Sequence, residues 1–362
     1  MTDGILDGYE TDCQFVAYLG TDRLSGEMVQ MPISRFNRHG LVAGATGTGK
    51  SRSIQQIAEW CSQAGVPVLL CDGKGDMSGL AREGNPSDKA RKRMELTGQD
   101  TWWEGNSFPV QFLAPGGQGN GVPVRVTVGS FQYKSLAKII GLTPAQTNAL
   151  GSVFMYARRA KAELETIEDL QQYVRLVRDD PESSISSGVC NRIYDALNLF
   201  EENNPGLFGG PEFDVMDLLK VSSSGEHVWG NVSIIDSSQL VDNPDVLTTF
   251  LLWLMAQLNS ALPEVGDQDK PRLVFFFDEA HMMFQDAPKE FTRGIVRLVK
   301  SIRSKGVGIF FISQSGADIP DAVLAQCGNR IQHTLRANTP AQLRDLKKTA
   351  DTFPISSRYD IA

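Results

Sequence analysis

The segment Gly44-Ala45-Thr46-Gly47-Thr48-Gly49-Lys50-Ser51 fits the phosphate-binding pattern G-x-x-x-x-G-K-[ST] without a gap. Such a loop works only between a buried strand and a helix, and that context restricts the chain to a narrow set of α/β arrangements. The flanks comply. Gly40-Leu41-Val42-Ala43 reads as a short buried strand, and Ser51 to Trp60 reads as a helix with Ile54, Ile57 and Ala58 on one face. Glycines let the backbone turn tightly enough to aim its N–H groups at phosphate oxygens, and the helix N-terminus adds the positive end of a dipole. Lys50 is expected to reach the β- and γ-phosphates and the Ser51 hydroxyl to ligate Mg²⁺. The motif therefore predicts a nucleoside-triphosphate site formed by Gly44 through Ser51.

Five segments read as buried parallel strands: Leu41–Ala43, Val66–Asp72, Val232–Asp236, Leu273–Asp278 and Gly308–Ser313, with Arg330–Leu335 a sixth candidate. Helical patterns alternate with several of them, which predicts an α/β doubly wound sheet. Ligands of such sheets sit beyond the carboxyl ends of the strands. Four of these strands deliver polar residues there: the glycine-rich loop, Asp72, Asp278-Glu279 and Ser313-Gln314.

Between the second strand and Val232 the character changes. Residues 84–130 are rich in Gly, Pro and Asn, with strand-like pieces at Val110–Leu113 and Val124–Val128. Residues 131–206 read as a helical insertion. Thr143-Pro144-Ala145-Gln146 carries a capping Thr, Pro at the first helical position and Gln three residues on, and Thr166-Ile167-Glu168-Asp169 opens another helix. The expected organisation is a short segment 1–39, a nucleotide-binding core from 40–130 and 207–362, and the insertion. Asn243-Pro244 opens a further helix to about Leu258, and Glu264-Val265-Gly266-Asp267 reads as a turn.

A chain with 41% hydrophobic residues can bury a substantial core. Its longest central apolar run, Phe250–Met255, is too short to cross a bilayer, and Met1-Thr2-Asp3-Gly4 lacks the basic start of a signal peptide. The five cysteines (13, 61, 71, 190, 327) and four histidines (39, 227, 281, 333) are scattered, without metal or disulfide spacing. These features predict a cytoplasmic protein with no membrane segment and no structural metal. A net charge of −8 excludes a uniformly basic nucleic-acid coat but leaves room for a basic inner surface on a ring.

Leu273–Phe277 followed by Asp278-Glu279 is an apolar strand ending in two carboxylates. After a phosphate-binding loop, the first acid is expected in the Mg²⁺ shell and the second as the general base that polarises the attacking water. Gln314, ending the next strand, is placed to sense the γ-phosphate or orient that water. Arg303 is either an arginine finger reaching a neighbouring subunit's nucleotide or an ordinary exposed arginine, and Arg330 is a second candidate. Asp72, Lys74 and Asp76 face the same rim with no role assigned.

Residues 289–303 form an amphipathic helix, with Phe291, Ile295, Leu298, Val299 and Ile302 on one face and Arg293, Arg297 and Lys300 opposite. The basic stripe is either a solvated face or a surface for DNA phosphates or an adjacent subunit. Lys89, Arg91, Lys92 and Arg93 read as a flexible surface loop.

From Gly40 onward the chain resembles the bacterial HerA-like ATPases of the FtsK/HerA superfamily, close to the YjgR-type group. The resemblance is carried by Gly44–Ser51, Asp72-Gly73-Lys74-Gly75-Asp76-Met77-Ser78-Gly79, Pro123–Val128, Leu251–Leu254, Leu262–Asp267, Phe275–His281, Ile302–Gln314, Asp318-Ile319-Pro320 and Gly328–His333. It implies a RecA-like core, assembled as a homo-hexameric ring, that pumps double-stranded DNA using ATP and Mg²⁺. It also implies Lys50, Ser51, Asp278, Glu279 and Gln314 as the ATPase residues and Arg303 as a finger acting in trans. Arg38 matches a further nucleotide-proximal arginine of HerA proteins. The residues before the first core strand are too few for the β-barrel such proteins usually carry, and the chain stops before the terminal strand and tail of the YjgR-type group. The expected function is a ring-shaped DNA translocase or helicase. The alternative is a partner-controlled regulatory or scaffolding ATPase that assembles with a nuclease or other effector without moving DNA itself.

Overall fold

Apolar runs without polar alternation decide the architecture, because a strand apolar on both faces has to be covered on both. The computed structural model describes residues 15–22, 25–98, 105–117, 119–237, 244–266, 268–284, 289–335, 340–350 and 353. Cys13, Asn243, Asp267, the terminal Tyr359–Ala362 and the side chain of Phe291 lie outside the described residues. In chain order the elements begin with β1 (Val16–Thr21), β2 (Met28–Pro32), β3 (Gly40–Ala43), α1 (Lys50–Gln63), β4 (Val68–Asp72), α2 (Asp88–Thr97), β5 (Val110–Pro115) and β6 (Val122–Val124). Four helices follow: α3 (Tyr133–Ile139), α4 (Pro144–Arg159), α5 (Ile167–Asp179) and α6 (Ser187–Asn203). Then come β7 (Val221–Ser224), β8 (His227–Gly230), β9 (Val232–Asp236) and α7 (Pro244–Ala261). The chain continues through β10 (Leu273–Phe277), α8 (Lys289–Arg303), β11 (Val307–Ser313), α9 (Asp321–Leu324), β12 (Asn329–Gln332) and α10 (Pro340–Ala350).

Two units are distinguished by their internal contacts. The first comprises Met1–Gln111, Val215–Ile235 and Met255–Ala362, and the second Phe112–Asp214 and Asp236–Leu254.

In the first unit the sheet runs β12-β3-β11-β10-β4-β9-β5. β3 pairs in parallel with β11 and β12, and β10 pairs in parallel with β11 and β4. Every residue of β3, β4, β10 and β11 is buried. Packing at this density removes freedom of choice: Phe276 stacks on Phe310 at 5.2 Å between centroids, and Phe36 meets Phe310 edge-on at 5.3 Å. A Cβ at Gly40 would collide with the Phe310 ring, so only glycine lets β3 start there. α1 seals one face through Ile54, Ile57, Ala58 and Cys61, and α8 contributes Ile295, Val299 and Ile302 while Arg293, Arg297 and Lys300 stay exposed. Cys61, Cys71 and Cys327 are buried free thiols here.

Two short hairpins, β1-β2 and β7-β8, also belong to this unit and are absent from the sequence reading. Lys89–Arg93 is corrected as well: it lies in α2 rather than a loop. The Ser87 hydroxyl accepts from Ala90 N and Gly98 ends the helix in the left-handed conformation at φ 67°.

In the second unit the end of β5 pairs in parallel with β6, from Leu113↔Val122 to Pro115↔Val124. α3–α6 pack on one another in succession. Both expected capping boxes are present, Thr143 with Gln146 on α4 and Thr166 with Asp169 on α5. Ile167, Leu170, Val174 and Val177 form the buried stripe of α5 at helical spacing. Trp253 Nε1 donates to Ser130 Oγ at 3.0 Å, giving a buried indole its partner.

Candidate nucleotide site

Strand register assembles the site. Ser313 pairs with Ala43 and Gln332 pairs with Ala43 from the other side, so Gln314 and His333 come level with Gly44. Phe277 pairs with Phe311 and with Cys71, which brings Asp278 and Glu279 level with the end of β11 and with the loop after Asp72. Glycine-rich loop, carboxylate pair, Gln314 and the Lys74 loop therefore share the C-terminal edge of one sheet.

The loop from Gly44 to Gly49 is shaped by backbone demands. Gly49 is the N-cap of α1 at φ 105°, a value that a side chain resists, and a Cβ on Gly44 would run into the Cβ of His333. Thr48 Oγ1 donates to Ala45 O at 2.7 Å. Lys50 Nζ donates to Gly44 O at 2.6 Å, so its ammonium lies over the loop it is expected to serve. Beyond β12 the chain ties the loop from the side: His333 N donates to Ala43 O at 2.7 Å, Ala45 N donates to Thr334 O at 3.0 Å, and His333 Nδ1 lies 3.1 Å from Thr48 O. Burial, with Lys50 nearby, holds the His333 imidazole below its ordinary pKa, so it is neutral at pH 7 and Nδ1 donates to the Thr48 carbonyl. His333 belongs to the site but carries no chemical motif of its own. Its signal in the sequence was a polar pair, Gln332-His333, at the end of an edge strand.

Asp278 is held above the usual carboxylate range by burial and by Glu279 beside it. Its Oδ1 accepts from Glu279 N at 2.9 Å. Lys50 is lowered by desolvation, with Glu279 and Asp278 pulling it back up. Lys50 and the carboxylate pair thus feel one another across the site. Ser51 Oγ donates to Asp76 Oδ2 at 3.4 Å, at the long end of the range. Among the described residues no group of three or more His, Cys, Asp or Glu is arranged to hold a metal alone. A divalent ion at Ser51 and Asp278 would share its shell with phosphate oxygens and water, since one hydroxyl and one carboxylate fill only part of a shell of oxygen ligands.

Asp72 has a structural task. Its Oδ1 accepts from Lys74 N at 3.0 Å and Gly75 N at 2.8 Å, and its Oδ2 from Met77 N at 2.9 Å, fixing the loop backbone. Lys74 Nζ reaches Glu279 Oε1 at 2.6 Å. Glu279 Oε2 and His281 Nδ1 are 3.4 Å apart, but both atoms lack a hydrogen-bond partner, so the contact is electrostatic proximity without hydrogen-bond geometry.

The arginines lie elsewhere. Arg38 precedes β3, a strand of four residues, so it is about 13 Å from the loop of its own chain along the strand at ~3.3 Å per residue. Arg38 sits at the end of β3 opposite to the loop. Arg303 ends α8 ahead of the N-terminus of β11, at the same end. Arg330, paired in register with Leu41, donates from Nη2 to Leu324 O at 3.3 Å. An open groove of about 390 Å³ also lies at that end, lined by Gly65, Pro67, Met216, Val221, Lys270 and Pro271. Pro67 and Pro271 precede β4 and β10, so the groove is remote from the phosphate-binding loop.

A parallel sheet with this loop, and with carboxylates ending the strand two places away, defines a P-loop NTPase with a RecA-like core. The family described as Helicase HerA-like C-terminal matches residues 18–362, and the chain belongs to this HerA-like ATPase family. It is 21% identical over 329 residues to the DNA double-strand break repair helicase HerA of Saccharolobus solfataricus, covering 90% of this chain and 59% of that protein. The solved structure of VirB4 of Thermoanaerobacter pseudethanolicus superposes with a TM-score of 0.59 at 15% identity, covering 95% of this chain and 89% of that one. The plasmid coupling protein TrwB in complex with the ATP analogue ADPNP gives 0.58 at 15% identity, covering 94% and 78%. Among the described residues no helix is long and apolar enough to cross a membrane.

Proposed function

We propose that this chain hydrolyses ATP to drive translocation along double-stranded DNA as a homo-hexameric ring. The observation that carries the reading is the shared strand edge, where Gly44–Ser51, Asp278-Glu279 and Gln314 come level through parallel register. Backbone N–H groups of the loop and Lys50 bind the phosphates. Ser51 and Asp278 would hold Mg²⁺, which when bound would supply charge neutralisation at the phosphate oxygens. Glu279 accepts the proton of the attacking water, and Gln314 orients that water or senses the γ-phosphate. Arg303, at the end of the sheet opposite to the loop, is read as a finger serving the nucleotide of an adjacent subunit, with Arg330 as a second candidate and Arg38 as a further nucleotide-proximal arginine. The helices of 131–206 form an insertion on the nucleotide core, and a nuclease or other effector is a further partner. The relative named a DNA double-strand break repair helicase supports DNA as the substrate.

Displacement of a protein roadblock from linear duplex DNA tests the reading. ATP-dependent, directional clearance by the protein alone is expected. ATP turnover without clearance contradicts translocation and leaves a partner-controlled ATPase.

A further inference from the structure

The backbone at Lys74 has little freedom. Asp72, 4% exposed, accepts from the N–H groups of Lys74, Gly75 and Met77, and Gln55 Nε2 of α1 donates to Asp76 O at 2.6 Å. The Lys74 side chain is 56% exposed. Glu279 is fixed from its own side, its backbone in the left-handed region at φ 49° and ψ 44° as the cap of the short helix Ala280–Met283. The two oxygens of Glu279 differ. Oε2 is buried without a hydrogen-bond partner, whereas Oε1 accepts from Lys74 Nζ at 2.6 Å. A general base has to present a lone pair to the water it deprotonates. With Oε2 out of solvent, the oxygen that water can reach is Oε1, and Lys74 sits on it.

We propose that Lys74 is a positioning residue that occupies Oε1 of Glu279 and so keeps this oxygen from the attacking water until a nucleic-acid backbone phosphate draws the ammonium off. This rests on Glu279 being the base for ATP hydrolysis. The exchange is chemically cheap in both directions. The Lys74 end of the pair is open to solvent, which screens it, while Glu279 is 24% exposed, and a phosphate diester presents the same ammonium with a strong anionic acceptor. Gly75 beside it is exposed, so a backbone phosphate can reach the Lys74 ammonium without rearranging the loop, against the charge of the neighbouring Asp76 carboxylate. Lys74 titrates above its ordinary value because Glu279 is hydrogen-bonded to it, so the cation persists at neutral pH. Once Lys74 moves, Oε1 keeps its place on a fixed backbone and gains a free lone pair. The effect falls on turnover rather than on nucleotide affinity, because Lys74 contacts the base and not the phosphate-binding loop.

Steady-state ATP hydrolysis by wild type, Lys74→Ala, Lys74→Arg and Lys74→Ala/Glu279→Gln, each with and without long duplex DNA, tests this. Without DNA, Lys74→Ala is expected to raise kcat at least threefold over wild type with KM for ATP unchanged, and duplex should add less than it adds to wild type. Lys74→Arg keeps the cation and should remain slow and DNA-responsive, and the double variant should lose the gain. A kcat that falls in Lys74→Ala overturns the proposal and makes Lys74 a ligand of the transferring phosphate. An unchanged basal kcat overturns it too. If Lys74→Ala is faster but wild type ignores DNA, the restraint stands and the DNA-driven release falls. No turnover in either protein overturns both this proposal and the ATPase reading.

Discussion

The two ends of the first unit's sheet are built from the same strands and treat their polar groups in opposite ways. At the N-terminal end His39 is completely buried and fully bonded: Ile309 N donates to its Nδ1 at 3.0 Å, which leaves Nε2–H to donate to Val299 O at 2.8 Å. Burial pushes its pKa down to about 4, so it is a neutral strut between the segment before β3, helix α8 and strand β11. At the C-terminal end the polar groups are only partly satisfied. Glu279 Oε2 and His333 Nε2 are buried without partners, Lys50 leans on loop carbonyls, and Lys74 holds Glu279 from an exposed side chain. Unspent hydrogen-bonding capacity is costly in a structural role and useful in a ligand site. A histidine alone therefore says little: His39 reinforces packing, whereas His333 secures the loop that takes the phosphates.

This contrast predicts that changes at the C-terminal end alter turnover and affinity while leaving stability nearly intact, and that changes at the N-terminal end do the reverse unless they act on another subunit. The largest effect should come from that exception. Arg303→Ala is expected to lower kcat by about 10³-fold or more, the scale of a lost arginine finger. Mixing it with Glu279→Gln subunits should partly restore turnover, because each supplies what the other's interface lacks. No recovery in demonstrated mixed rings removes Arg303 from the trans role. Glu279→Gln should slow hydrolysis by roughly 10²–10⁴-fold with ATP still bound, as single-turnover assays can show. Wild-type rates would move the base elsewhere.

Lys50→Ala should weaken ATP binding by about 100-fold, equivalent to about 3 kcal/mol, without lowering the melting temperature. Calorimetric titration reads this directly, and near-normal affinity would break the assignment of the C-terminal end. His39→Ala should cost about 2–4 kcal/mol of stability by stranding Ile309 N–H and Val299 O in the core, while ATP affinity in the folded fraction stays the same. In wild type the folded pKa of about 4 lies below the value of about 6.5 expected unfolded, so the unfolded chain takes up the proton first. Stability from this group is complete above pH 6.5 and lost as pH falls toward 4, by up to about 3 kcal/mol. Denaturant titrations across that range should lose this component in His39→Ala, and an unchanged slope would contradict the buried neutral strut.

Much of this was legible because local chemistry announced it. The glycine-rich loop, the strand 232–236 and the Thr143 and Thr166 caps follow from short patterns whose physics is confined to a few residues. α2 was misread because Lys89, Arg91, Lys92 and Arg93 crowd out the apolar stripe that marks a helix, although Ser87 and Gly98 bracket it with a cap at each end. The hairpin β7-β8 was passed over because its first strand, Val-Ser-Ser-Ser, lacks an apolar face. The Lys74–Glu279 pair joins residues 205 apart in the chain and exists only through the parallel register of β4 with β10.

The most direct measurement is steady-state ATP hydrolysis with and without long duplex DNA, with Glu279→Gln as the blank. Turnover above the blank that rises on adding duplex is the predicted result. Turnover indistinguishable from the blank under both conditions would contradict the assignment of the C-terminal edge as a DNA-responsive ATPase site.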